Sequence, residues 1–181
     1  MRDYRFDEAN TFSATIMKKP NDIPNHPRIL CWRGKVLIYI GADVVGKKHL
    51  SQALNFDPDL KECQKLIKLV KKGNTMKEEA AAVFKEGKYE EAIAKFTECL
   101  ELDELNAGYN STLLLNISIA HVKLGKNDEA MRALNRAIKF NPKYAKAYVK
   151  RGEVQMLLED YAEAVKDFSE ASDHDATGFN V

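Results

Sequence analysis

Proline and glycine are scarce in this sequence, 5 and 9 residues of 181, so few positions must interrupt a helix. Neither sign of charge is in excess: 28 basic residues against 27 acidic ones leave +1. That balance excludes a global attraction to nucleic acid or to an anionic membrane, and any electrostatic function has to come from a local patch. No stretch approaches the roughly 18 consecutive apolar residues of a membrane span. The opening Met1-Arg2-Asp3-Tyr4-Arg5-Phe6-Asp7-Glu8 is too charged for the apolar core of a secretory signal. Cys31, Cys63 and Cys99 form no Cys-x-x-Cys pair, and such an odd, scattered set reads as reduced core thiols in a cytoplasmic or nuclear setting. His26, His49, His121 and His174 are too dispersed for a metal site. No glycine-rich phosphate loop, Ser-His-Asp set or paired catalytic carboxylate stands out. The expectation is a protein that is no enzyme and holds no cofactor.

What is present is helix-forming material organised as a repeat. Hydrophobic residues are 45% and charged residues 30% of the chain, ordinary for a folded domain. Lys, Glu, Ala and Leu predominate, which favours long helices. Gly125, Ala130, Leu134, Ala137 and Pro142 stand at offsets of 0, 5, 9, 12 and 17. Adding 34, the period of a helix-turn-helix repeat, gives Glu159, Ala164, Phe168, Ala171 and Ala176. Gly87, Ala92, Phe96 and Cys99 repeat the pattern upstream, as do Gly41, Gly46, Leu50, Ala53 and Pro58.

Each repeat then has two helices, A and B, and the physics assigns roles to the recurring positions. A small residue on helix A (Gly34, Ala80, Ser118, Gly152) meets a small residue on helix B (Gly46, Ala92, Ala130, Ala164), so the two can cross closely. Leu50, Phe96, Leu134 and Phe168 fill the space between repeats. Gly41, Gly87 and Gly125 suit a tight turn that needs a left-handed backbone. Pro58 and Pro142 stop helix B. The predicted helices span residues 27–40, 43–56, 60–86, 89–102, 111–124, 127–140, 145–158 and 161–172. Between Gly41 and Gly87 the spacing is 46, not 34. The extra stretch carries Leu60, Cys63, Leu66, Ile67 and Val70 at helical spacing, so one long helix links the two blocks, with a bend expected at Gly73-Asn74. Four extra residues are assigned to a loop at Glu104–Asn110.

Residues 3–18 read as a lone helix B, with Ala9 at the small site and Phe12 or Ala14 behind it. Ser172–Val181 is polar and lacks the covering helix a solenoid needs. The expected order is the end of an upstream block in residues 1–58, a linking helix in 59–72, three repeats in 73–176 and a tail in 177–181. The fold class is all-α, a right-handed superhelix of antiparallel helix pairs. Trp32 is expected to pack between repeats, and Arg151 to be a helix-surface residue.

Two segments, Asp22–Gly34 and Lys77–Ala92, with the helical spacer 59–76 between them, resemble the tandem tetratricopeptide-repeat (TPR) region of J-domain co-chaperones. That resemblance implies a scaffold for protein–protein interaction that docks chaperones of the heat-shock protein 70 and 90 classes. The His-Pro-Asp tripeptide of the J domain does not occur here, so J activity is not expected of these residues. The alternative is a structural TPR subunit of a larger complex, with no chaperone-tail binding.

TPR co-chaperones hold the Glu-Glu-Val-Asp tail of those chaperones between Lys and Asn on a first helix A, Asn on a second, and Lys and Arg on a third. Carried onto this chain, the resemblance implies Lys77, Asn116, Lys146 and Lys150 as the residues that bind the peptide carboxylates. Ala81 stands where the family has the first Asn, and Lys150 where it has Arg. The expected result is a weakened or redirected site, with no part for metal, nucleic acid or membrane.

Overall fold

A computed structural model of the chain describes residues 6–18 and 26–174. Those residues form α1 (Phe6–Ile16), α2 (Pro27–Tyr39), α3 (Asp43–Phe56), α4 (Lys61–Lys85), α5 (Tyr89–Leu100), α6 (Ala107–Lys123), α7 (Asn127–Phe140), α8 (Ala145–Leu157) and α9 (Tyr161–His174). No strand occurs among the described residues. The fold is the all-α arrangement of helix pairs that the repeat predicts. The chain divides into two compact units: residues 1–74 with 105–109, and residues 75–104 with 110–181.

The first unit is organised by the crossing of α2 and α3. A Cβ built on Gly34 would lie 2.6 Å from Leu50 Cδ2 and 2.9 Å from the Gly46 carbonyl oxygen. One built on Gly46 would lie 2.6 Å from Ile38 Cγ1 and 2.8 Å from the Gly34 oxygen. The two backbones therefore touch, antiparallel, where the sequence places its small residues. Around this contact Leu30, Cys31, Ile38, Leu50, Ala53, Leu60, Cys63 and Leu66 form a continuous core, with Ile67 and Val70 packed against it. The apolar stripe of the linking stretch is thus the face that α4 presents to that core. Burial and the adjoining Cys63 thiol push the Cys31 thiol up to about 12, which keeps it protonated and inert.

Helix α4 includes Gly73 and Asn74, and the Gly73 carbonyl accepts a 2.7 Å bond from the Tyr109 hydroxyl. Several expectations change in this unit. The loop expected at 104–110 is shorter, because α6 starts at Ala107. The Asn106 side chain accepts from the Tyr109 amide at 3.1 Å, an N-cap that satisfies one of the open donors of the first turn. In α1, Phe12 does not pack behind a small site but is 68% exposed. The helix is instead held by Arg33, whose Nη1 donates to the Asn10 carbonyl at 2.8 Å and to Ser13 Oγ at 2.6 Å. Residues 3–5 of that predicted helix lie outside the described residues. Trp32 does not pack between repeats; it is 67% exposed.

In the second unit the predicted crossing residues Ala80, Ala92, Ala130 and Ala164 are all fully buried, and Ser118 is 1% exposed. Phe96 and Leu134, the predicted fillers, are buried, whereas Phe168 is 38% exposed. No described helix covers that face of α9, and the ring lies over Gly152, 2.9 Å from a Cβ built there. Helix α9 runs two residues further than predicted, to His174. Ala176 and the 177–181 tail lie outside the described residues.

All three predicted turn glycines have left-handed backbones: Gly41 at φ +90°, Gly87 at +79° and Gly125 at +71°. The fourth turn has no glycine, yet Glu159 adopts φ +63°, so the repeat geometry imposes on a side-chain-bearing residue what the others take freely. Glu159→Gly should therefore stabilise the chain by about 1 kcal/mol, read as a higher denaturant midpoint; an unchanged or lower midpoint would refute the strain. The crossings yield a graded expectation. A helical Gly→Ala exchange gains up to about 1 kcal/mol of propensity. At Gly34 the new methyl meets backbone and a buried leucine, so the net result should be a loss of about 2 kcal/mol. At Gly152 it meets a half-exposed ring that can swing away, so the variant should stay within about 1 kcal/mol of wild type. Thermal melts of the two variants check the order.

Candidate peptide-binding groove

Helices α6 and α8 are the A helices of successive repeats, and their facing sides enclose a cleft of about 220 Å³. Ser118, Ile119, Val122 and Lys123 line it from α6; Lys150, Glu153, Val154 and Leu157 line it from α8. The walls are mostly aliphatic, and the polar groups sit at Lys123, Lys150 and Glu153. Such a cleft accommodates an apolar side chain beside a negative group.

Of the four residues implicated by sequence, Lys150 lines this cleft. Lys146 lies one turn earlier on α8 and is exposed; Asn116 is half-buried on α6, three residues before Ile119 and seven before Lys123. Steps of three, four and seven put these residues on the cleft-facing sides of their helices. Lys77 is half-buried on α4, as is Ala81, and neither lines the cleft.

Two groups were not anticipated. Lys123 adds a second cation, legible in retrospect because it stands two helical turns beyond Asn116. Glu153 pairs with Lys150 at 2.5 Å, at the i, i+3 spacing that favours such pairs. Lys150 therefore already has a carboxylate partner, and an incoming anion has to compete for it. Both side chains are partly exposed, 40% and 49%, so the pair contributes little, roughly 0–1 kcal/mol.

Comparison with known proteins decides the family. Models described as "TPR repeat" and "Tetratricopeptide repeat" match residues 120–159 and 145–174. A solved structure described as the second TPR of Spaghetti (RPAP3) bound to the HSP90 peptide SRMEEVD is 33% identical, with a TM-score of 0.50, and the match covers 55% of this chain and 89% of that one. The chain belongs to the tetratricopeptide-repeat family. The TPR domain of P58(IPK), 22% identical with a TM-score of 0.63 over 96% of this chain and 48% of that chain, has the same fold. The DnaJ homolog subfamily C member 3 homolog of Dictyostelium discoideum is 31% identical over 90% of this chain and 32% of its own length. The chain thus spans about a third of the curated relative it matches there.

Within the last TPR pair, Arg151 is not the surface residue expected from sequence. Its Nε and Nη2 donate to the two oxygens of Asp167 at 2.7 and 2.6 Å, and its Nη1 donates to Asn135 Oδ1 at 2.7 Å. Asp167 is 4% exposed, so the guanidinium fork neutralises a buried carboxylate with bidentate geometry. The hydrogen bond to Asp167 holds Arg151 above its usual value. The fork joins α8 to α9 and reaches α7. Arg151→Ala leaves the Asp167 carboxylate buried and unpaired, and should cost about 2–3 kcal/mol. Arg151→Ala with Asp167→Leu should recover part of that loss. Chemical denaturation of the single and double variants measures both.

Proposed function

We propose that this chain is a co-chaperone adaptor whose groove, formed by the A helices of the second unit, binds the acidic C-terminal peptide of a heat-shock protein 70 or 90 class chaperone. The observation that carries the reading is the α6–α8 cleft, where aliphatic walls adjoin two lysines. Its support from relatives is the peptide complex of the 33% identical RPAP3 repeat domain. In this reading Lys146 and Lys150 face the paired carboxylates at the end of the peptide, Asn116 donates a hydrogen bond, and the aliphatic walls take the valine side chain. Lys77 on α4 completes the set by repeat register. The proposed segment order remains an upstream block in 1–58, a linking helix in 59–72 and three repeats in 73–176.

Two features weaken the site. Ala81 offers no amide where the family resemblance implies Asn, a loss of about 1–3 kcal/mol if that position is buried in the complex. Glu153 repels the peptide carboxylate and competes for Lys150. Both predict gain-of-binding variants, which a merely basic surface would not give. In calorimetric titrations with a Glu-Glu-Val-Asp peptide, Ala81→Asn and Glu153→Gln should each tighten binding, and Lys146→Glu should weaken it about tenfold or more. Raising the salt should weaken all complexes. Absence of heat for the wild type and for both gain variants would discard the groove as a tail site.

A second reading, a structural subunit of a larger complex, is favoured by the apolar surface at the last pair. Leu157, Tyr161 and Val165 are 61%, 56% and 68% exposed. Loss of tail binding together with stable co-purification of a partner through α9 would favour it.

A further inference from the structure

The net charge of +1 conceals a division. The first unit contains 14 Lys and Arg against 8 Asp and Glu, a net +6. The second contains 14 against 19, a net −5. The excess of positive charge is therefore in the first unit, not in the unit that contains the groove described above. Along α4, Lys61, Lys65, Lys68 and Lys72 recur at helical spacing and are all exposed. On α2, Arg28, Trp32 and Lys35 stand four and three residues apart and are exposed as well.

These two stripes flank a cleft of about 300 Å³. Trp32 and Lys35 line it from α2, and Glu62, Lys65, Leu66 and Leu69 from α4. An indole that is 67% exposed at the rim of a leucine-floored cleft leaves a large apolar surface uncovered. Lys35 lies 5.3 Å from the centroid of the Tyr39 ring, which orients its ammonium along the cleft. Unlike Lys150, neither Lys35 nor Lys65 has a carboxylate partner among the described residues.

We propose that this α2–α4 cleft is a second binding site, which takes an internal acidic segment of a partner protein and holds one of its apolar side chains between Trp32 and Leu66. The apolar floor specifies the anchor, and the lysine stripes specify acidic residues on either side of it. A terminal carboxylate is not required. Single-stranded nucleic acid fits less well, because it needs a row of exposed aromatic faces, and here Tyr39 is only 5% exposed.

Trp32 is the sole tryptophan of the chain, so the site contains its own reporter. The test titrates the whole chain with a peptide blocked at both ends, in which one leucine is flanked by aspartates and glutamates. Saturable blue-shifting of the Trp32 emission is expected. Lys35→Glu combined with Lys65→Glu should weaken it about tenfold or more, and so should a rise from about 50 to about 500 mM salt. Both lysines are exposed, so the double variant should retain the helical circular dichroism of wild type. Trp32→Ala should abolish the heat of binding in calorimetry, and replacing the leucine of the peptide by aspartate should do the same. Lys146→Glu should leave the titration unchanged, which separates this site from the chaperone-tail groove. Absence of a saturable change, or equal binding by the double lysine variant, would overturn the proposal. An oligouridylate that reproduces the signal where the peptide does not would overturn it in favour of nucleic acid.

Discussion

Each helix pair depends on a place where two helices cross with no side chain to hold them apart. At Gly34 and Gly46 the carbonyl of one helix occupies the space where the other's Cβ would be, under 3 Å away. In the second unit the helix-B members of these crossings, Ala92, Ala130 and Ala164, each place a single fully buried methyl there. The crossing fixes the distance between helices of a pair, and the bulkier residues one turn further on then fill the gap to the next helix. Leu50, Phe96 and Leu134 are almost wholly inaccessible for that reason. Close approach also dictates the turn: a connection as short as Ile40–Ala42 reverses the chain only through a left-handed residue.

The same geometry leaves the A helices facing one another across narrow clefts, and the partly exposed side chains there, such as Lys150 and Glu153, have little packing duty. Composition at these positions is free to be set by binding. The cleft of the second unit mixes Lys123 and Lys150 with Glu153, so its charge is partly self-compensated. Its apolar walls, not an excess of positive potential, supply most of what it offers a ligand. Such a groove selects by shape and by paired hydrogen bonds more than by long-range attraction.

Nearly every helix was legible in the sequence, because the offsets between Gly125 and Pro142 recur with fixed spacing and because Leu60, Cys63, Leu66 and Val70 mark a buried stripe. The start of α6 was not, since the Asn106 cap depends on a single side chain with no periodic signal. Glu159 was located by register, but nothing in its identity announced a left-handed backbone. Of the four residues that the family resemblance implied, Lys150 lines the α6–α8 cleft, while Lys123 and Glu153 in its lining carried no signal in the repeat pattern. The roles of Arg151 and Trp32 were not legible either: Arg151 has its partner 16 residues away on the next helix, and a tryptophan on an amphipathic helix reads as core filler unless its neighbours are known. Both depend on contacts that helical periodicity does not encode.

The Arg151 fork has a further consequence. A solenoid is nearly one-dimensional, and its stability is the sum of what each repeat contributes and what couples it to its neighbour. By bonding Asp167 on its own partner helix and Asn135 on the preceding repeat, Arg151 contributes to both terms with one side chain. A perturbation of α9 that disturbs this side chain is therefore felt on α7 as well.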